Sequence, residues 1–199
     1  MSDKQVLKIV DQLRTAYRLK RTLRYRTTRD HSIHSESVAE HIFALFFLAE
    51  YFLLVEKGAR SLNKEKLYQI LLFHDFGEII HGDVPTMEKK DFHRIREAKA
   101  AKKVFASLPQ PFGNYAYKGW EDYERQKSPE ARFANALDKV EPLFELMDPV
   151  NEQSLKRMKT TYESHMPKKL KATENFPVMR KFLEITARDM QRRKVFWTG

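Results

Sequence analysis

Apolar residues recur along this chain at helical rather than alternating spacing, and the pattern divides it into a series of amphipathic helices. Val6, Val10, Leu13 and Tyr17 outline the first, which runs into the basic stretch 18–29, read as a loop. Ser37-Val38-Ala39-Glu40 has the form of a capping box. Ile42, Leu45, Phe46, Ala49 and Leu53 then lie on one face of a long, mostly buried helix with His41 in its first turns. Asn63 caps a third helix striped by Leu67, Ile70, Leu71 and His74, and Gly77 stands where a left-handed residue would close it. Residues 78–90, with Gly82 and Pro85, read as a structured loop. Phe92, Ile95, Ala98, Ala101 and Phe105 mark the next helix, stopped by Leu108-Pro109-Gln110-Pro111; residues 115–126 are aromatic-rich and weakly periodic. Ser128-Pro129-Glu130 opens a helix through Phe133, Leu137, Val140 and Phe144 that carries Asp138. Two last helices fall at about 150–165 and 177–195, joined by a basic loop over 166–175.

Alternating runs of Val, Ile and Thr are absent, as are Asn-Gly and Asp-Gly hairpin turns, so the predicted fold is all-α. A chain of 199 residues can bury a core without disulfide or metal staples. The expectation is one domain over 1–199, with a motif-bearing core at about 5–150 and C-terminal helices over 151–199. Cysteine is absent, which excludes disulfides, thiolate zinc sites and cysteine nucleophiles and fits a reducing compartment. Any metal must therefore be held by His, Asp and Glu. The start lacks the apolar core of a signal peptide, and no apolar run approaches the ~20 residues of a membrane span, so a cytoplasmic protein with no membrane partner is expected. Lys and Arg number 37 against 27 Asp and Glu, a net charge of +10. That field draws anions, whether a phosphorylated small molecule in a cleft or a nucleic-acid backbone, although basic residues on helix surfaces mostly serve solubility.

The candidate chemistry gathers around His74-Asp75, an imidazole and a carboxylate at the end of the apolar stripe Leu71-Leu72-Phe73. Two such polar groups left without partners in an interior would be costly. Glu40-His41, Gly82-Asp83-Val84-Pro85-Thr86 and Asp138-Lys139 could complete a site. Two His and two Asp suit one divalent ion among manganese, cobalt, zinc, iron and nickel, with magnesium less favoured. Taken singly the same residues are ordinary: a His opening an apolar helix is usually structural, an Asp beside Lys139 and Glu141 usually faces solvent, Glu78 can be a surface residue, and Asp83 and Thr86 can serve a turn and a cap.

The ordered set changes the picture. Glu36-Ser37-Val38-Ala39-Glu40-His41, then His74-Asp75 with Glu78, then Gly82-Asp83-Val84-Pro85-Thr86, then Leu137-Asp138-Lys139 resemble the successive motifs of HD-domain metal-dependent phosphohydrolases. The Gly-Asp-x-Pro-Thr element resembles the branch of 5′-deoxynucleotidases. The resemblance implies an all-helical domain whose metal is held by His41, His74, Asp75 and Asp138. It implies Glu78 as catalytic acid or base, Asp75 as the ligand that also orients the attacking hydroxide, Asp83 at the sugar hydroxyl, and Thr86 and Lys89 near the substrate. The family's Arg-Trp pair after the first helix has Arg24-Tyr25 as its nearest analogue here, with Arg21 or Arg26 as other counterparts, so selection against a 2′-hydroxyl stays open. A homodimer is also implied.

The leading expectation is a metal-dependent phosphomonoesterase acting on nucleoside or deoxynucleoside 5′-monophosphates. A second is an HD-type hydrolase of a cyclic or polyphosphorylated nucleotide or a non-nucleotide phosphate. The third is a basic helical protein binding nucleic acid through surfaces such as Lys168-Lys169-Leu170-Lys171, its His-Asp site vestigial, and this is not favoured. His31, His34, His81, His93 and His165 read as surface or loop histidines, and Trp120 and Trp197 as packing residues.

Overall fold

The computed structural model describes residues 3–24, 36–84, 89–147 and 153–199. Helix α1 (Asp3–Leu13) passes directly into a 3-10 helix, Arg14–Arg21, so residues 18–21 of the basic stretch expected as a loop are helical, anchored by buried Leu19. Among the described residues, extended backbone pairs only where Leu23 bridges Ser37: Arg24 N donates to Glu36 O at 2.9 Å and Val38 N to Thr22 O at 2.9 Å. This tie holds Arg24 and Glu36 beside the start of α2 (Val38–Val55).

The expected capping box is formed. Ser37 Oγ accepts from Glu40 N at 3.2 Å and Glu40 Oε2 accepts from Ser37 N at 2.6 Å. Helix α2 has 18 residues and a mean hydropathy of 1.8, long and apolar enough to span a bilayer, contrary to the expectation that no apolar run approaches that length. Its buried face, Ile42, Leu45, Ala49 and Phe52, is nevertheless committed to the protein core.

Asn63 caps α3 (Lys64–Phe73), accepting from Lys66 N at 3.0 Å. A tight turn leads to α4 (Glu78–His81), so part of the expected 78–90 loop is a helical turn. Gly77 is not left-handed: its φ is −58°, and the glycine is needed because a Cβ there would lie 2.9 Å from Glu97 Cγ and 3.2 Å from Glu97 O. The left-handed position is Gly82, at φ +78°, which closes α4.

Beyond it come α5 (Asp91–Ser107), α6 (Phe112–Arg125) and α7 (Pro129–Glu145), the last capped by Ser128 as expected. The weakly periodic aromatic segment is a regular helix, because Ala116, Gly119 and Trp120 turn one face inward. The helix expected over 150–165 is two pieces, α8 (Gln153–Arg157) and α9 (Tyr162–Ala172). Lys159 takes φ +50° between them, and Thr161 starts α9 through its own capping box with Ser164. The expected basic loop 166–175 is therefore mostly helix. Helix α10 (Pro177–Arg192) closes the fold, and buried Glu56 caps it from across the structure, its Oε2 accepting from Val178 N at 2.9 Å and Met179 N at 3.1 Å.

Helix α7 packs against α2, α3, α6, α9 and α10 and is the hub of the structure. Two apolar clusters result, one around α7 and α10, the other around Phe73, Phe76, Phe105 and Trp120. His41 follows the first-turn residues of α2 and His74 follows Phe73, each flanked in sequence by members of both clusters. Imidazoles are thus held inside, where a polar atom needs a partner.

Candidate metal centre

The four expected ligands converge from α2, the turn that follows α3, and α7. His41 Nε2, from α2, lies 3.2 Å from Asp138 Oδ1 on α7 and 3.8 Å from Asp75 Oδ2. His74 Nε2 lies 3.1 Å from the same Asp75 oxygen, and the two imidazole centroids are 5.6 Å apart. Donor atoms of His41, His74 and Asp75 all fall within 4.8 Å of one another. Ligand bonds of about 2.0–2.2 Å to nitrogen and oxygen donors need separations of this order.

The chemistry of the donors fits a cation. His74 Nδ1 sits 2.9 Å from Leu71 O, and a ring N–H donated to that carbonyl leaves Nε2 as a lone pair. That nitrogen is buried and has no hydrogen-bond partner among the described residues, although it faces the Asp75 carboxylate. A lone pair and a carboxylate facing each other without a proton between them want a positive charge. On His41 the far nitrogen, Nδ1, is 2.8 Å from Glu141 Oε2, which points Nε2 at Asp138 and Asp75. Burial and Arg24 press the His41 pKa down, but Glu141 and Asp138 outweigh them and lift it to about 10, so a cation bound there would have to displace a proton. Burial raises the Asp75 carboxyl, yet His74 and His41 hold it well below the usual carboxylate range. For Asp138, Lys139 and His41 likewise outweigh burial.

Asp138 is buried rather than solvent-facing, and its second oxygen is engaged by Tyr123 Oη at 2.7 Å and Lys139 Nζ at 2.5 Å. Pro142, four residues on, has no N–H to give the Asp138 carbonyl, and Lys169 Nζ donates to the neighbouring Lys139 carbonyl at 2.6 Å.

A cleft of about 310 Å³ lies against these residues, lined among others by Asp75, Glu78, Asp83, Lys89 and Asp138. Glu78 is buried and its Oε2 has no partner among the described residues; burial, then Asp75, Asp83 and Glu97, push its carboxyl well above the ordinary value. Lys89 Nζ is 2.5 Å from Glu97 Oε2, and that carboxylate outweighs burial to keep it charged. Lys139, Lys168 and Arg94 add cationic groups to the wall.

Arg24 stands between the cleft and the residues behind His41. It lines the cleft, but its Nη1 donates to Glu36 Oε2 at 2.8 Å and Glu141 Oε2 at 3.2 Å, behind His41. The Leu23–Ser37 tie is what draws it there. Its expected companion Tyr25, and also Arg26, Arg29, His31, His34 and Thr86, lie outside the described residues. Arg21 is exposed on the 3-10 helix. His81 is exposed and His93 Nδ1 accepts from Lys90 N at 3.1 Å, while His165 is no surface histidine: it is half-buried on α9 against Phe196, its Nε2 without a partner among the described residues.

Sequence reasoning passed over Glu141 and Tyr123. Glu141 follows Asp138 by three residues, one helical turn, so its place on the same face was available from spacing. Tyr123 reaches the site by the approach of α6 to α7, for which the aromatic run offered no register. Its ring centroid lies 4.9 Å from that of His74.

Comparison with known proteins agrees with this arrangement. Residues 16–180 match the family model described as HD domain. The chain is 35% identical over 113 residues to the 5′-deoxynucleotidase HDDC2 of Homo sapiens, covering 55% of this chain and 52% of that protein. It is 32% identical over 148 residues to the same-named protein of Bos taurus, 73% of this chain and 69% of that one. The match therefore spans about half the length of the human relative. In fold it is similar to the crystal structure of a predicted metal-dependent phosphohydrolase from Magnetospirillum magnetotacticum MS-1, with TM-score 0.80, 24% identity, and coverage of 97% of this chain and 98% of the other. With the family model spanning most of its length and the His-Asp constellation assembled inside an all-helical fold, this chain belongs to the HD-domain family.

Proposed function

We propose that this protein is a metal-dependent phosphohydrolase that releases inorganic phosphate from nucleoside 5′-monophosphates, deoxynucleotides foremost. One observation carries the reading: His74 presents toward Asp75 a buried Nε2 that has no hydrogen-bond partner among the described residues, with His41 and Asp138 alongside, at the wall of a cleft that also holds cationic side chains. His41, His74, Asp75 and Asp138 would hold one divalent ion. Bound there, the ion would supply Lewis acidity toward water and toward a phosphoryl oxygen. Asp75, ionised and shared between both imidazoles, orients the attacking water. Glu78, kept protonated by burial and by its acidic neighbours, gives its proton to the leaving 5′-oxygen. Lys89 and Lys139 offset charge on the phosphoryl oxygens. Asp83 accepts from a sugar hydroxyl. The names of the human and bovine relatives support a deoxynucleotide substrate. A homodimer belongs to the same reading.

The test is phosphate release from a panel of 5′-deoxyribo- and 5′-ribonucleoside monophosphates after chelation and metal add-back, beside Asp75→Ala. Release that returns with manganese or cobalt and disappears in the variant is expected. Release indifferent to both chelator and substitution would end this reading, and activity confined to other phosphate esters would move the substrate class.

A further inference from the structure

Tyr123 stands on α6 and touches two of the four candidate ligands, which come from two other parts of the fold. Its Oη donates to Asp138 Oδ2 at 2.7 Å, and its ring centroid lies 4.9 Å from that of His74, with the planes tilted by 56°. Asp138 Oδ2 also accepts from Lys139 Nζ at 2.5 Å. A carboxylate oxygen has about two lone-pair sites, so these two donors fill that oxygen. Oδ1 is the oxygen left toward the other ligands, 3.2 Å from His41 Nε2.

Close packing fixes where Tyr123 stands. One turn earlier on α6, Gly119 lies so near α3 that a Cβ there would meet Gln69 O at 2.9 Å, and Gln69 Nε2 donates to Tyr115 O at 2.6 Å. The preceding residue, Asp122, is tied both to the cap of α7 and to α3: it accepts from Ser128 Oγ at 2.8 Å and pairs with Lys66 Nζ at 2.9 Å. Gln126 ends α6 in the left-handed conformation, at φ 51°, and its Nε2 donates to Tyr123 O at 2.5 Å. The helix is thus pinned on both sides of Tyr123, and a phenol has only two side-chain torsions with which to lose its aim.

We infer that Tyr123 is a positioning residue that presents Asp138 to the metal through Oδ1 alone. This rests on the metal site of the proposed function and names a residue that shapes it. Lys139 shares Oδ2, but it lines the cleft on a flexible four-carbon stem and is also the charge offered to phosphoryl oxygens. Tyr123 is the donor that keeps Oδ2 engaged when Lys139 turns to substrate. A carboxylate released from the phenol can rotate and offer an ion both oxygens, closing a position that water or phosphate needs.

The experiment uses cobalt as the probe and compares the full metal-stripped chain with Tyr123→Phe, which removes the hydroxyl and keeps the ring against His74. Calorimetric titration reads affinity, the visible absorption of the cobalt-loaded protein reads the number and arrangement of its donors, and thermal unfolding of the metal-free proteins reads the fold. The expected result is an affinity lower by on the order of tenfold, the low end for loss of an outer partner because Lys139 remains on the same oxygen. The visible bands should change in position and intensity, while the unfolding curves stay together. A variant with the parent's affinity, or with the parent's visible bands, would overturn the role of Tyr123 and leave the metal site standing. A lowered unfolding temperature with unchanged bands would likewise make the tyrosine merely structural. A parent chain that takes up no cobalt would overturn the metal site and the role of Tyr123 together. None of these readouts requires phosphate release, so a failed substrate assignment leaves the test intact.

Discussion

Replacing Glu141 by Gln should weaken metal binding without unfolding the protein. Glu141 does not face the cleft; its Oε2 is 2.8 Å from His41 Nδ1 and 3.2 Å from Arg24 Nη1, which itself lies 2.6 Å from the same ring nitrogen, and together they hold the ring with Nε2 toward Asp138 and Asp75. The amide keeps the shape and one acceptor, but loses the charge that makes the imidazole a stronger donor. Outer partners of this kind are worth about 10–100-fold in metal affinity, which corresponds to roughly 1.4–2.7 kcal/mol. The fold should suffer less, because Arg24 Nη1 keeps its 2.8 Å hydrogen bond to Glu36 Oε2, even though burial lifts that carboxyl to about 8. Calorimetric titration of manganese or cobalt into metal-stripped protein reads the affinity, and thermal unfolding reads the fold. Glu36→Gln is the control, since Glu36 Oε1 stands 3.9 Å from the ring nitrogen and should matter less for the metal. Affinity unchanged in a well-folded Glu141→Gln protein would refute the idea that this carboxylate tunes His41.

Three other perturbations follow from the packing. Gly77→Ala places a methyl group 2.9 Å from Glu97 Cγ and 3.2 Å from Glu97 O; overpacking of about 1–3 kcal/mol exceeds the ~0.4–1 kcal/mol gained from a stiffer unfolded chain. A net loss near 1 kcal/mol in thermal unfolding is expected, with lower phosphate release because Asp75 and Glu78 flank the site. Glu56→Ala strips the Val178 and Met179 amides of their acceptor at the start of α10 and should cost about 2–3 kcal/mol in denaturant unfolding, while leaving metal affinity alone. Burial, with Lys169 next, holds the His165 pKa well below 6.5, so the unfolded chain takes up a proton there that the folded one refuses. Stability should therefore fall as pH drops below 6.5, and His165→Leu should flatten that fall; parallel pH profiles for the two proteins would contradict the assignment.

The helices that carry the site were legible because their signals are local. Ser37 and Glu40 cap one another three residues apart, Asn63 and Ser128 cap within a turn, and the apolar stripe of α3 ends at His74. What escaped depends on elements that meet only in the folded chain. Gly77 looked like a helix terminator, but its reason is Glu97, twenty residues away on α5. The partners of Arg24 Nη1, Glu36 and Glu141, come from 12 and 117 residues away and had no local signal. His165 looked superficial because nothing near it in sequence foretells Phe196. The break between α8 and α9 was readable in part: Thr161 and Ser164 form a capping pair that an uninterrupted apolar period obscured, whereas the positive φ of Lys159 has no signature in a lysine.

The central claim is that one divalent ion is held between the two imidazoles and their carboxylates. Anomalous diffraction from a crystal of the protein loaded with manganese or cobalt tests it most directly. The account predicts a single strong peak within bonding distance of His41 Nε2, His74 Nε2, Asp75 and Asp138. Loaded crystals with no peak there, or with the ion on the far side of His41 among Glu36 and Glu141, would contradict it.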